Sequence, residues 1–352
     1  MQRAASTLRQ SPRVVFSGIQ PTGIPHLGNY VGALRQWVHL QDAEPNSKLI
    51  YSIVDLHAIT TPQPPEQLRR YKREALAALL AIGIDPERST IFYQSAVSAH
   101  SELMWILSCT ASVGYLSRMT QWKTKLSLKA DSSIEDKTAA SRLKLGLFSY
   151  PVLQAADILV HRATHVPVGH DQQQHLEFAR ECVTNFNYAY GPHLVSPQTI
   201  IPPVHRVMSL TDPTSKMSKS AKAEKSRILI TDSPMEIKSK ISSALTDSIS
   251  GITYEPASRP GIANLLDILS IFDHQQRTAA DLATAYATSS PKQLKSMVSE
   301  AVIEGLQGIR ERYRELLDVN DGHLDRVAEY GAEKARRSAA ETMDLVRTAV
   351  GF

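Results

Sequence analysis

Nowhere in the 352 residues does an uninterrupted apolar run approach the roughly 18 side chains that a membrane-crossing helix needs, because charge cuts even the richest stretches. A membrane-embedded role is thereby excluded for these segments. Cysteine is almost absent: Cys109 and Cys182 are too few for a disulfide framework and lack metal-ligand spacing. That fits a reducing compartment and not a structural zinc. Neither phosphate-binding signature is present, so a P-loop ATPase and a nicotinamide enzyme are both forced readings. No internal repeat and no low-complexity tract is found. Acidic side chains are missing from the start of the chain, where Arg3, Arg9, Arg13 and Arg35 all precede the first of them, Asp42. Met1 to Pro12 has the basic, small-residue composition of an organelle import leader, and an ordinary disordered terminus fits the same residues. The net charge of +4 permits a polyanionic partner without requiring one.

What is present is an alternation of periods. Val14 to Phe16 reads as a short strand ending at Ser17-Gly18, with Pro21 and Gly23 punctuating a turn. From Asn29 the spacing of Val31, Leu34 and Val38 is helical. The unit repeats with a strand at Leu49 to Val54, a helix at Leu68 to Ile82 and a strand at Thr90 to Tyr93. A fourth strand is predicted at His165 to Val168, a helix at Gln172 to Phe186, and a fifth strand at Arg206 to Leu210. Such alternation predicts an α/β fold with a parallel, doubly wound, Rossmann-like sheet. Beyond it the pattern is helical, at Pro234 to Ala244, Ile262 to Phe272, Pro291 to Leu317 and Leu324 to Val350. From Arg206 to Phe352 there are 20 Lys/Arg against 20 Asp/Glu, so RNA contact there is not readable from charge.

Three groups of residues carry chemistry. Gly18, Gln20, Gly23, His26, Gly28 and Asn29 lie between the first strand and the first helix. Glycines there let backbone approach a ligand, and the helix start offers free N–H groups to phosphate. A tight structural turn is the competing account of the loop taken alone. Lys216-Met217-Ser218-Lys219-Ser220 puts two lysines on a Ser-rich loop that could close over a triphosphate and meet charge moving onto pyrophosphate. Its occurrence together with the first loop argues against a merely solvated basic run. Asp157 stands alone in the apolar segment Val152 to Val160, where a carboxylate is costly unless partnered. A group that only donates suits it: a ligand N–H, or an arginine or helix end of the protein itself.

His26-Leu27-Gly28-Asn29 and Lys216 to Ser220 resemble, in the expected order, the two signatures of class I aminoacyl-tRNA synthetases. Phe16 to Gly23, Val54 to Thr60, Tyr150 to Leu159 and Val166 to Gly169 narrow the resemblance to the tryptophanyl family, from about Val14 to the C-terminus. The resemblance implies Mg·ATP, L-tryptophan and tRNA(Trp) as substrates, with magnesium carried by ATP and no protein metal ligand. It also implies a homodimer. It places His26, Lys216 and Lys219 in catalysis. Gln20, Pro21, Thr22, Gly28, Asn29, Gly169, His170, Asp171, Val207 and Lys216 through Ser220, with Met217 and Ser218 between, fall at ATP. Asp157, Tyr150, Gln154, His57 and Gln172 fall at tryptophan or its rim.

Residues 1–13 read by composition as a leader or disordered terminus; by the same resemblance, 14–225 are the catalytic domain and 226–352 a helical anticodon-binding domain. The mitochondrial matrix is the expected location, the cytoplasm the alternative. Two departures stand out: His170 where relatives carry an acidic residue, and Ala221 where Asp is frequent. The stretch between Lys125 and Tyr150 is longer than in bacterial members, and from Arg118 to Lys144 seven basic residues face three acidic ones. Lys125 is the expected phosphate contact there, and a solvated loop the alternative. A tyrosyl-type synthetase, a non-catalytic RNA-binding relative and a small-molecule adenylyltransferase are the rival functions.

Overall fold

The computed structural model of the chain describes residues 12–129, 131–167, 169, 172–200, 206–219, 221–319 and 322–352. The strands β1 (Val14–Ile19), β2 (Lys48–Ile53), β3 (Ser89–Tyr93), β4 (His165–Pro167) and β5 (Gln198–Ile200) form one parallel sheet in the order β3-β2-β1-β4-β5. The chain winds outward from β1 through β2 to β3, then returns to the far side of β1, as a doubly wound sheet must. β1 pairs with β2 from Val14↔Lys48 to Ile19↔Ile53 and with β4 at Val15↔His165.

Side-chain alternation along the strands decides which helices cover which face. Val15, Leu49, Tyr51, Ile53 and Ile91 share a core with Trp37 and Leu40 of the Arg35–Ala43 helix and Leu76 and Leu79 of the Pro65–Ala81 helix. Phe16, Ile50 and Phe92 share the other core with Leu103 and Leu107 of the Ala99–Ser108 helix, Ile158 of the Leu145–Leu159 helix and Phe178 of the Gln173–Tyr190 helix. Both faces of β2 are therefore buried, which is why Leu49 to Ile53 reads as an unbroken apolar run with only Ser52 inside it.

Helices Pro234–Ser242, Pro260–Ile271, Ala279–Ala285 and Pro291–Gly305 follow the sheet in the chain and pack on one another. The last helix, His323–Val350, expected with this helical part, instead lies along β3, the sheet edge. Gly331 makes that approach possible, since a Cβ there would stand 1.6 Å from the Ile91 carbonyl oxygen. Ala332, Ala335, Ala339 and Met343 then join the second core, and a long helix thus covers an edge that would otherwise offer unpaired backbone.

Two predicted elements are corrected. Arg206 to Leu210 is not the fifth strand; Gln198–Ile200 is, pairing with β4 from His165↔Gln198 to Pro167↔Ile200. Met208 makes only an isolated antiparallel bridge to Lys216, and its backbone N–H and C=O are both taken by Asn264 at 2.8 and 3.1 Å. This apolar run is buried against the lysine loop and the Pro260–Ile271 helix, not in the sheet. The helix predicted over Pro291 to Leu317 is two, Pro291–Gly305 and Ile309–Asp318, because Gly308 between them has a φ of +76°.

Candidate active site

The carboxyl ends of β1 and β4 flank the point where strand order reverses, the place where open parallel sheets bind ligands. The loop after β1 carries Gln20, Pro21 and Thr22, with the Thr22 N–H donating to the Gln20 carbonyl at 3.0 Å. His26 then caps the following helix. Its Nδ1 accepts the Asn29 N–H and Asn29 Oδ1 accepts the His26 N–H, each at 3.2 Å. Burial, followed by the charges of Lys219 and Arg227, pushes the imidazole down to about 4. At neutral pH His26 is thus an uncharged ring with Nδ1 occupied and its proton on Nε2. Gly28 is pressed against this ring, for a Cβ there would lie 3.0 Å from His26 Cε1.

The lysine loop folds back on the strand-like run before it. The Met217 N–H donates to the Val207 carbonyl at 3.1 Å and the Ser209 N–H to the Ser215 carbonyl at 2.9 Å, while Asp212 closes the turn by accepting from Thr214 and Ser215. Lys216 is exposed at the tip and Met217 is buried. Lys219 reaches the first loop: its ammonium donates to the Gly23 carbonyl at 2.7 Å and to Thr22 Oγ1 at 3.1 Å. Burial pushes it down to about 8, opposed by Glu74. Two loops nearly two hundred residues apart in the chain therefore meet beside the carboxyl end of β1.

Asp157 is fully enclosed on the Leu145–Leu159 helix. Its Oδ1 accepts from Gln94 Nε2 at 2.6 Å and pairs with His100 Nδ1 at 2.7 Å; its Oδ2 pairs with His57 Nε2 at 2.8 Å. Burial alone would raise this acid, but the hydrogen bonds from His100 and His57 outweigh it and hold the carboxyl well below the usual range. His57 meets the Tyr150 ring edge-on, with centroids 6.0 Å apart. The Tyr150 hydroxyl donates to Gln121 Oε1 and approaches His175 Nε2, both at 2.7 Å, and the Lys125 ammonium stands 4.8 Å from the Tyr150 ring centroid. Gln154 Nε2 donates to Gln172 Oε1 at 3.3 Å, joining the rim residues of the two helices.

The expected residues thus gather in two clusters, one around His26 and Lys219 and one around Asp157. Gly169 is exposed after β4, its carbonyl accepting the Gln172 N–H at 3.0 Å. His170, Asp171 and Ser220 lie outside the described residues, as do Val168 and most of the predicted leader. Sequence reasoning missed Gln94, His100 and His161. Gln94 had a signal, because it follows β3 at its carboxyl end, where site residues concentrate. Its amide is fixed by donating to Asp157 while its Oε1 accepts the Leu56 N–H at 3.1 Å.

Comparison with known proteins decides the family. The model describing class I tRNA synthetases (W and Y) matches residues 8–307. The mitochondrial tryptophan–tRNA ligase of Schizosaccharomyces pombe is 48% identical over 346 residues, covering 96% of this chain and 95% of the relative. That of Saccharomyces cerevisiae is 43% identical, with 97% and 92% covered. The chain belongs to the tryptophanyl class I synthetases. Its activity is tryptophan–tRNA ligation. Among solved structures, the synthetase from Mycoplasma pneumoniae matches at a TM-score of 0.82 and 31% identity, with 97% of this chain and 98% of that one covered. The enzyme from Campylobacter jejuni complexed with ADP and tryptophan matches at 0.78 and 34%, with 97% and 100% covered.

Proposed function

We propose that the two clusters are the nucleotide and amino-acid halves of one site, in which L-tryptophan and Mg·ATP form tryptophanyl-adenylate before transfer to tRNA(Trp). The Lys219 ammonium seated on the Gly23 carbonyl carries this reading, because it brings the second loop onto the first. A carboxylate oxygen of tryptophan attacks the α-phosphorus, the bond from that phosphorus to the bridging oxygen breaks, and pyrophosphate leaves with the electron pair. A terminal ribose hydroxyl of tRNA then attacks the activated carbonyl and AMP leaves. The attacking carboxylate is already an anion, so activation needs no general base and rests on positioning and charge stabilisation.

His26 presents a neutral Nε2–H to the phosphates, and Lys216 and Lys219 follow charge onto the leaving pyrophosphate. Gln20, Pro21, Thr22, Gly28, Asn29, Gly169, Val207, Met217 and Ser218 shape the nucleotide half, and Lys125 reaches phosphate from above Tyr150. A carboxylate has about four acceptor positions, and among the described residues three donors meet Asp157, with a single one on Oδ2. The indole N–H takes the remaining position. Phenylalanine, which has no N–H, leaves it empty, and an unfilled buried acceptor is a strong basis for rejection. His57, Tyr150, Gln154 and Gln172 form the walls and rim.

ATP–pyrophosphate exchange run in parallel with tryptophan and tyrosine tests the assignment, and exchange favouring tyrosine would overturn it. Lys219→Ala should slow adenylate formation at least a hundredfold, roughly the effect of losing one transition-state charge contact, with little change in tryptophan affinity. Equal losses in both, measured by rapid-quench kinetics and equilibrium binding, would remove the transition-state role.

Location in the mitochondrial matrix is supported by two relatives named as mitochondrial and by the basic, acid-free first residues. Import of a reporter fused to residues 1–13 tests it. Assembly as a homodimer is supported by exposed apolar side chains: Trp105, Val113 and Leu145 are 70%, 60% and 77% exposed, on the Ala99–Ser108, Val113–Arg118 and Leu145–Leu159 helices, the last of which packs on the other two.

A further inference from the structure

Behind Asp157 the hydrogen bonding does not stop at His100. His161 Nε2 stands 3.3 Å from His100 Nε2, and His161 Nδ1 stands 3.2 Å from Ser338 Oγ on the His323–Val350 helix. His100 and His161 are buried, at 0% and 3% exposure, and are walled by Phe92, which packs against both rings, and Phe16, which stacks on His161. With one proton on each ring, the chain closes in a single direction. Ser338 O–H donates to His161 Nδ1, His161 Nε2–H donates to His100 Nε2, and His100 Nδ1–H donates to Asp157 Oδ1. Each ring nitrogen then has one partner and one role.

We propose that His161, backed by Ser338, is a specificity-determining positioning residue: it holds the His100 ring where its Nδ1–H donates to Asp157 and so fixes the carboxylate that reads the indole. The proposal rests on the reading of Asp157 given above. Its physical content is the orientation of one ring. If His161 offers no N–H, His100 Nε2 loses the donor that meets it among the described residues, inside an apolar wall. Asp157 keeps the proton on Nδ1, so the cost of the unpaired Nε2 lone pair is relieved by the ring tilting in its pocket. The tilt lengthens the bond from Nδ1–H to Oδ1, so the carboxylate rotates and Oδ2 leaves the position where the indole N–H meets it. The burial of His161, which holds its ring well toward the neutral form, keeps it a donor at one nitrogen and an acceptor at the other. Gln94 braces the same Oδ1, and the turn bearing Gln94 is tied to the same C-terminal helix by Arg336 Nε donating to the Ala96 carbonyl at 3.0 Å.

The test uses the full-length chain and ATP–pyrophosphate exchange with tryptophan and with its sulfur isostere 3-(benzothiophen-3-yl)alanine, which keeps the shape and lacks the N–H. His161→Leu should lower the ratio of kcat/KM for tryptophan over the isostere about tenfold, as one lost buried hydrogen bond would, with the KM for ATP unchanged. His161→Gln, whose amide can donate to His100, should restore most of the ratio. Ser338→Ala should lower it in the same direction and by less, and it serves with His161→Gln if the leucine variant does not fold. An unchanged ratio in His161→Leu, or in Ser338→Ala where that variant stands alone, overturns the proposal. So does a fall that His161→Gln fails to restore. Asp157→Asn separates the two layers. If it abolishes discrimination while the His161 and Ser338 variants do not alter it, only the positioning role fails; if it leaves discrimination intact, the reading of Asp157 itself fails.

Discussion

His26 shows how a side chain's place in the fold sets its protonation. As a helix cap it spends Nδ1 on Asn29, and as a buried base it is pushed from about 6.5 to about 4. The sign follows from proton counting: between these values the unfolded chain binds a proton that the folded chain does not, so stability rises with pH across that window and falls as pH drops through it. The loss amounts to up to about 3 kcal/mol between pH 6.5 and pH 4. His26→Asn keeps a good cap and removes the titration, so urea unfolding of the variant should be flatter over that window than that of the natural chain. Parallel curves would show that His26 does not titrate between folded and unfolded states.

Lys219 makes a second, functional prediction at the same scale. Free, it titrates near 8; beside a triphosphate it must stay charged, so ATP binding above about pH 8 should take up a proton and weaken as pH rises. Calorimetry in two buffers of different ionisation enthalpy measures the uptake, and Lys219→Met should abolish it. Residues such as Lys219, His26 and Asp157 were legible because their surroundings made them conspicuous: lysines in a Ser-rich loop, an acid in an apolar helix. His100 and His161 were not, since an isolated histidine in a helix or a turn carries no spacing signal, and only the tertiary structure brings 61 residues of separation to 3.3 Å.

At the scale of elements, period was a good guide wherever the run was long. β2, its neighbour β3 and the Pro65–Ala81 helix lie within a few residues of their predicted bounds because each run is bounded by turn residues and long enough to show its period. β5 was not legible. Three residues, Gln198–Ile200, cannot establish a period, and Val207 to Leu210 offered a more apolar run that pairs elsewhere. The edge helix depends on one position that no local pattern marks. Gly331 sits mid-helix, where glycine is usually a cost of about 1 kcal/mol against alanine. Its reason is the Ile91 carbonyl, against which any Cβ would collide. Gly331→Ala should therefore destabilise the chain by about 3 kcal/mol or more, reversing the ordinary helix preference, and denaturant unfolding reads the sign directly. A neutral or stabilising result would mean that the helix rides farther from β3 than a separation of 1.6 Å between an added Cβ and the Ile91 carbonyl oxygen implies.

The whole molecule is two cores on opposite faces of one sheet, and its C-terminal helices touch the site from both sides. Asn264 of the Pro260–Ile271 helix holds the lysine loop through Met208, while Ser338 of the last helix reaches the amino-acid cluster. Trp105, Val113 and Leu145 are exposed apolar side chains that a second copy of the chain would cover. Burying three large apolar side chains contributes roughly 1.5–3 kcal/mol each, enough for such an interface to hold at micromolar concentration if the surrounding contacts fit. Trp105 lies on the same helix as His100, one and a half turns away. Ordering that helix against a partner therefore bears on the ring that grips Asp157. The natural chain should sediment as a dimer at about 10 µM, a concentration that corresponds to about 7 kcal/mol of association, and Trp105→Asp with Leu145→Asp should sediment as a monomer. In the monomer the KM for tryptophan should rise more than the KM for ATP, because the helix that loses its partner carries His100, which grips Asp157 in the proposed amino-acid half of the site. A natural chain that sediments as a monomer at that concentration would leave these side chains without this partner, and a monomeric variant with both constants unchanged would uncouple assembly from the tryptophan pocket.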